Sequence, residues 1–470
     1  MNKYQTVTIN TLYIGLGTAG SKLIYLLMLP LFTRWLTVDE YGATDTITIY
    51  TDVLMSILFL NIADSIFVYP KLAESGEEKR GYFSSGMFFI GVMGVLGALL
   101  FWGLDFVVPS SRIGSVFFKY KWLIWGILVT RFLQKYVQGF AKSLDLLKVY
   151  SATGVVMTGM IALFSFLLIP RWKVDGYVYA IILAQVVATF YSFFSIRAYS
   201  FLSMKAVDWK SLKALLLYGA PLVPNSIMWW LINGFNRPVM EQYLGLAAVG
   251  IYAVANRISG IINSASEIFG LAWGNSVLGE YGKDGFERFF NNYLKMMASI
   301  CFIGCAFLVV FAKEIVFAFS TSAYLGAANY IPFLALGLCF SCLSSSLGGI
   351  FAAVKESKYF LYASLGGGLA SVCSLMVLMP WLGLYGVAFS MTLSFFVIFV
   401  IRWLLANKYV LVRNKCFFLV LLILLALIYI NTIVVVSCWK YMVDAIILVG
   451  FAYFMRHDIR KVCVVLAMKW

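Results

Sequence analysis

About fourteen long apolar stretches follow one another along this chain, and a few cations lie stranded inside them. Each stretch is about 20 residues long, enough to cross a hydrocarbon core as a helix. The chain is 62% hydrophobic and only 12% charged, with a mean hydropathy of +0.90. Most of that surface must face lipid or another helix. The stretches fall at 9–33, 43–69, 83–107, 116–138, 150–169, 177–196, 212–233, 248–275, 291–312, 331–353, 360–379, 384–404, 417–436 and 439–455. They are continuous rather than alternating, which argues against an outer-membrane barrel. The connections are too short for a soluble catalytic domain. The expected fold class is therefore all-α integral membrane, with about fourteen transmembrane helices.

The net charge of +15 raises nucleic acid as a partner, but the charge distribution points to a membrane orientation instead. With the N-terminus cytoplasmic and every span crossing, 22 of the 36 Lys and Arg fall in cytoplasmic segments and nine on the other face. This asymmetry is the positive-inside pattern, and it puts both termini in the cytoplasm. Met1 to Thr8 carries only Lys3, and the apolar run after it is too long for a cleaved signal, so the first stretch is expected to stay as a span. Cys339 and Cys342 form a C-x-x-C inside an apolar span and read as small buried residues. His457 is the single histidine, so neither a zinc site nor any cofactor is expected.

The two halves repeat. Lys148, Pro170 and Gly176 recur as Lys358, Pro380 and Gly386, each 210 residues on. Leu36 and Gly42 recur as Leu244 and Gly250, 208 residues on. A repeat of about 200 residues and six spans enters from the same side twice, as in transporters built from parallel repeats around a central cleft. The expected lobes are 1–205 and 206–408, joined by a basic linker at 197–213, with spans thirteen and fourteen appended in 409–470.

Charge inside a span is costly and usually faces a cavity, at about 2.5–3.5 kcal/mol per residue on insertion scales. Lys22 sits near the middle of span one, roughly 15 Å from either end. That is far for a lysine to snorkel, so a cavity position is favoured over an interfacial one. The glycines before it, Gly15, Gly17 and Gly20, spell G-x-G-x-x-G, but within an apolar helix they read as packing residues rather than a nucleotide loop. In span four, Arg131, Gln134, Lys135 and Gln138 share one helical face, facing either a cavity or the cytoplasmic headgroups. Span eight carries Arg257, Ser264 and Glu267, which line a cavity or form an internal pair; Lys295 reads as an interface residue. Span two carries Asp45, Thr48 and Asp52 on one face, with Asp64 further on. Asp52 and Glu267 are the candidate coupling-ion carboxylates, with a salt bridge to an intramembrane cation as the alternative for Asp52. In span seven Pro221 and Pro224 break a helix beside Asn225 and Asn233, whose amides suit sugar hydroxyls.

Lys22–Gly42, KLIYLLMLPLFTRWLTVDEYG, and Asn236–Arg257, NRPVMEQYLGLAAVGIYAVANR, resemble the two signatures of the polysaccharide-exporting flippases in the multidrug/oligosaccharidyl-lipid/polysaccharide exporter superfamily. The resemblance extends over most of the chain and names a family, not a sugar. It implies transport rather than enzymatic catalysis. The implied substrate is an undecaprenyl-diphosphate-linked oligosaccharide of the O-antigen or capsule type. The implied route is from the cytoplasmic to the periplasmic leaflet of the bacterial inner membrane, by alternating access through a cationic cleft. Lys22, Arg131, Lys135, Arg257, Asn225 and Asn233 are the candidate cavity residues. Membrane lipids, a proton or sodium counter-ion, and glycosyltransferases and a polymerase of the same pathway are the expected partners. A lipid II flippase or a multidrug antiporter of the same superfamily remains the alternative.

Overall fold

The computed structural model describes residues 27–107, 115–264, 270, 273, 277, 279–356, 358–412, 415–434 and 450. Lys22, the G-x-G-x-x-G glycines, Glu267, almost all of span fourteen and most of span one lie outside the described residues. Every regular element among the described residues is helical. The chain divides into two compact units, Met1–Gly250 and Ile251–Trp470.

The first unit opens with α1 (Leu29–Trp35) and α2 (Val38–Phe59). Thr37 and Glu40 close a capping box at the start of α2, and Asp39 and Glu40 sit at the positive end of its dipole. Leu60 and Asn61 then both turn left-handed, at φ 50° and 51°, and the chain bends by 52° into α3 (Ile62–Leu72). Span two is therefore a broken span. The break is held from outside: the Asn61 amide donates to Ser226 Oγ at 3.0 Å, and Ser65 Oγ donates to the Leu215 carbonyl at 2.7 Å.

Helices α4 (Gly76–Val107) and α5 (Ser115–Ser143) follow, and α6 covers Leu147–Ser195. A helix of 49 residues would be about 73 Å long, more than twice the hydrocarbon thickness. It is two arms. Lys173 leaves the helical region at φ 51°, ψ −121°, and a Cβ on Gly176 would collide with the Leu168 carbonyl, eight residues back. Only a tight reversal brings those positions together. The two arms correspond to the separate spans expected at 150–169 and 177–196.

Span seven is not bent apart at its prolines but tightens there into a 3-10 turn: α7 (Trp209–Gly219), the turn over Ala220–Leu222, and α8 (Val223–Asn233), with α9 (Asn236–Leu244) beyond, run on as one helical stretch. This segment, expected to open the second lobe, packs here within the first unit, α7 against α3 and α4 and α8 against α2. The matched glycines of the repeat also meet. A Cβ on Gly42 would strike the Leu246 carbonyl, and a Cβ on Gly250 would strike the Val38 carbonyl. The offset of 208 carries Val38 to Leu246 and Gly42 to Gly250, so the two contacts are reciprocal.

The second unit takes up most of α10 (Leu246–Ser259) and contains α11 (Phe286–Val310), α12 (Ala312–Phe319), α13 (Ile331–Ala353), α14 (Lys358–Leu382), α15 (Leu384–Ala406) and α16 (Lys415–Val434). Helices α14 and α15 form the counterpart of the α6 hairpin. Gly383 turns at φ 55°, ψ −130°, and a Cβ on Gly386 would collide with the Leu378 carbonyl, again eight residues back. Cys339 and Cys342 are buried on α13 near buried Cys301 and Cys305 of α11. No group of His, Cys, Asp and Glu among the described residues is placed to hold a metal ion.

Eight helices, with the bent α2–α3 pair as a ninth, are long and apolar enough to cross a membrane, counted among the described residues. One of the eight is the α6 hairpin, which is two spans. Helix α5 is not counted with them because Lys119, Lys121, Arg131 and Lys135 dilute its apolarity. Those same charges make it the helix of interest.

Candidate functional site: a charged seam in the first unit

Helix α5 is two-faced. Phe132, Tyr136 and Phe140, at i, i+4 and i+8, are fully buried. Phe132 stacks on Phe59 at 4.2 Å, Phe140 packs on Phe83 at 4.5 Å, and the Tyr136 hydroxyl donates to the backbone carbonyls of Tyr82 and Phe83. Thr130 Oγ1 donates to Gln185 Oε1 at 2.7 Å, tying α5 to the second arm of α6. This packing fixes the rotation of the helix and turns the Arg131–Lys135–Gln138 stripe toward the broken span α2–α3.

There the stripe meets carboxylates. Arg131 pairs with Asp52 at 2.6 Å, with side-chain exposures of 25% and 43%. Arg131 and Asp52, on separate helices, thus form one ion pair, which is the alternative stated for Asp52. One turn on, Lys135 has no close ion-pair partner among the described residues, but Asp52, Asp64 and Arg131 all act on it at longer range. Its side chain is exposed on the surface of the first unit. Asp64 also acts on Lys142, whose ammonium lies 4.1 Å from the centre of the Phe67 ring. At the end of the seam Lys71 pairs with Asp145 at 2.6 Å. Gln134 and Gln138 bond to each other, and Gln138 also donates to the Tyr150 carbonyl, so these amides brace the stripe.

The break at Leu60–Asn61 is what makes this seam. It falls between Asp52 on α2 and Asp64 on α3, and both carboxylates act on Lys135 of α5. Three cations, Arg131, Lys135 and Lys142, face two carboxylates, leaving the seam one positive charge in excess. Charged groups at this depth are costly, because an apolar helix face would be cheaper in lipid.

Two of the other expected cavity residues, Asn225 and Asn233, have no hydrogen bond or ion pair to this seam among the described residues. Asn225 and Asn233 lie on α8, both half-buried, and the Asn233 amide donates to its own helix at the Trp229 carbonyl. Arg257 is half-buried in the last turn of α10, in the second unit, and its expected neighbour Glu267 lies outside the described residues. Lys295 is half-buried on α11.

Two buried arginines correct the sequence reading. Arg237, placed there in an external connection, is only 2% exposed, and its Nε donates to Asp45 at 3.0 Å. Its Nη1 donates to Asn236 Oδ1 at 2.8 Å and to the Asn233 carbonyl. Asp45, on the polar face of span two, is the counter-ion of that guanidinium. The signal lay in Asp45 itself, a carboxylate early in a span that calls for a cation. Arg402, counted among the cytoplasmic cations, is 5% exposed, stacks over Phe360 and donates to the Ser344 carbonyl at 3.1 Å.

A chain of long apolar helices in two units, with matched glycine reversals, defines a multi-pass membrane protein. The chain belongs to the polysaccharide biosynthesis protein family, whose model matches residues 7–272, more than half its length. No curated protein matches it by sequence. Its fold is similar to that of an inward-facing multidrug resistance MATE family transporter of the MOP superfamily, with a TM-score of 0.69 at 15% identity over 82% of this chain and 94% of that one. It is equally similar to the lipid II flippase MurJ in an inward closed conformation, with a TM-score of 0.69 at 15% identity over 96% and 99%. A Vibrio cholerae MATE transporter, VcmN, gives 0.62 at 13% identity over 87% and 98%. These neighbours are transporters and a flippase rather than enzymes, and identities this low establish a shared fold.

Proposed function

We propose that this protein flips an undecaprenyl-diphosphate-linked oligosaccharide, of the O-antigen or capsule type, from the cytoplasmic to the periplasmic leaflet of a bacterial inner membrane. The observation that carries the proposal is the pair Arg131 and Lys135, one turn apart on a spanning helix and accessible to solvent. A diphosphate cannot cross hydrocarbon bare. Its lipid tail can stay in the bilayer while the head follows a polar surface, and charge-assisted hydrogen bonds from Arg131 and Lys135 offset its desolvation. Alternating exposure of that surface to the two leaflets completes the transfer. Lys22 and Arg257 are further candidate contacts for the anion, Asn225 and Asn233 for the glycan, and Asp52 and Glu267 for a coupling proton or sodium ion. Both termini lie in the cytoplasm, where glycosyltransferases supply the substrate, and a polymerase takes it on the far side.

Lipid II translocation is the second reading. It uses the same diphosphate chemistry, and the similarity to MurJ over nearly the full length of both chains favours it over drug transport. Export of cationic drugs fits less well with a seam in positive excess. The test is surface polysaccharide in cells that depend on this chain. Arg131→Gln with Lys135→Gln, present in the membrane at normal amounts, should abolish it. Polysaccharide at the full level in that variant would overturn the proposal.

A further inference from the structure

We propose that Asp52 is a built-in substitute for the ligand: it occupies the Arg131 guanidinium while the site is empty and must be displaced when an anionic headgroup binds. This rests on the diphosphate reading given above and adds a residue that sets affinity and release.

The geometry separates the two cations of the stripe. Arg131 is engaged by Asp52 at 2.6 Å, whereas Lys135, four residues on, has no close counter-ion among the described residues. Side chains at this spacing have Cβ atoms about 5–6 Å apart, a gap that the two phosphoryl groups of a diphosphate can bridge. Arg131 and Lys135 therefore form a two-point anion site with one point already taken. The pair is accessible, so an incoming oxygen can reach the guanidinium without unfolding its surroundings.

Charge accounting gives the reason for such an arrangement. An arginine left unpaired on a spanning helix is costly. A carrier must pass through an empty state on each cycle. With Asp52 at hand, Arg131 is paired in that state as well as in the loaded one. The ligand's gain on binding is then only the difference between its own contact and that of Asp52. Affinity is reduced by the competition, and release is assisted as Asp52 returns.

The experiment is a double-mutant cycle on the purified full-length protein, with geranyl diphosphate as the probe and equilibrium binding as the readout. Asp52→Asn removes the competing charge and should tighten binding roughly tenfold, within the usual range of coupling between sites. Arg131→Gln should weaken binding strongly. In the Arg131→Gln background, Asp52→Asn should give no gain, because there is no longer a guanidinium to compete for. Asp52→Ser reads the same gain if Asn lowers the yield of folded protein. Wild-type binding with no gain in either Asp52 variant overturns the inference and leaves the diphosphate reading standing. The same gain with and without Arg131 also overturns it, as a general charge effect. No binding of the probe to any variant overturns both.

Discussion

Lys173 and Gly383, 210 residues apart, adopt nearly the same backbone conformation, φ 51°, ψ −121° and φ 55°, ψ −130°. Each stands at the reversal of a helical hairpin, three residues before the glycine that packs against a carbonyl. This is a conformation that glycine adopts freely and other residues adopt at a cost of about 1–3 kcal/mol. The first repeat bears that cost with a lysine, whose ammonium donates to the Trp35 carbonyl at 2.7 Å, at the end of α1. Lys173→Gly should relieve strain and lose one exposed hydrogen bond, changing stability by less than about 1 kcal/mol. Gly383→Ala should destabilise by about 1–3 kcal/mol. Thermal unfolding of the two variants in detergent checks the asymmetry.

Close approach at the hairpins gives a second prediction. Gly176 and Gly386 each leave no room for a Cβ against a backbone carbonyl, and backbone cannot move aside as a side chain can. Small residues allow this contact between helices in lipid. Gly176→Val or Gly386→Val should sharply reduce the folded, monodisperse protein recovered by size-exclusion chromatography. Gly159→Ala, on the first arm of the α6 hairpin with nothing within 4 Å of its Cβ position, should not.

The two buried arginines should respond oppositely to truncation. Arg237 has a carboxylate partner, so Arg237→Met strands Asp45 and should cost about 3–5 kcal/mol, partly recovered by adding Asp45→Asn. Arg402 has no carboxylate within ion-pair distance among the described residues, and its Nε lacks a hydrogen-bond partner there. Arg402→Met keeps the packing on Phe360 and removes a desolvated charge, so it should be neutral or stabilising. Melting temperatures of the three variants decide the point.

The helices themselves were legible in the sequence, because apolar length is an unambiguous signal in lipid. The repeat was legible too, from Pro170, Gly176 and their counterparts, and its geometry recurs in both hairpins. The bend at Leu60–Asn61 was not, since neither residue is glycine or proline and nothing local demands a left-handed turn at leucine. That gap hid the seam. The stripe on α5 could be read from spacing, and Asp52 from its place in a span, but their pairing depends on the bend and on the rotation of α5 fixed by Phe132, Tyr136 and Phe140. Arg237 was misplaced for a related reason. It lies in the first turn of α9, a short helix just after a proline-containing span, a setting that reads as a loop and folds as an interior.

The most direct test of the account is translocation by the purified protein in liposomes, with a fluorescent undecaprenyl-diphosphate-linked oligosaccharide whose exposure in the outer leaflet is followed over time. Wild type should move it faster than protein-free liposomes, and Arg131→Gln with Lys135→Gln, reconstituted in equal amounts and equally well folded, should fall to the protein-free rate. Translocation by the double variant at the wild-type rate would contradict the claim that these two cations carry the headgroup.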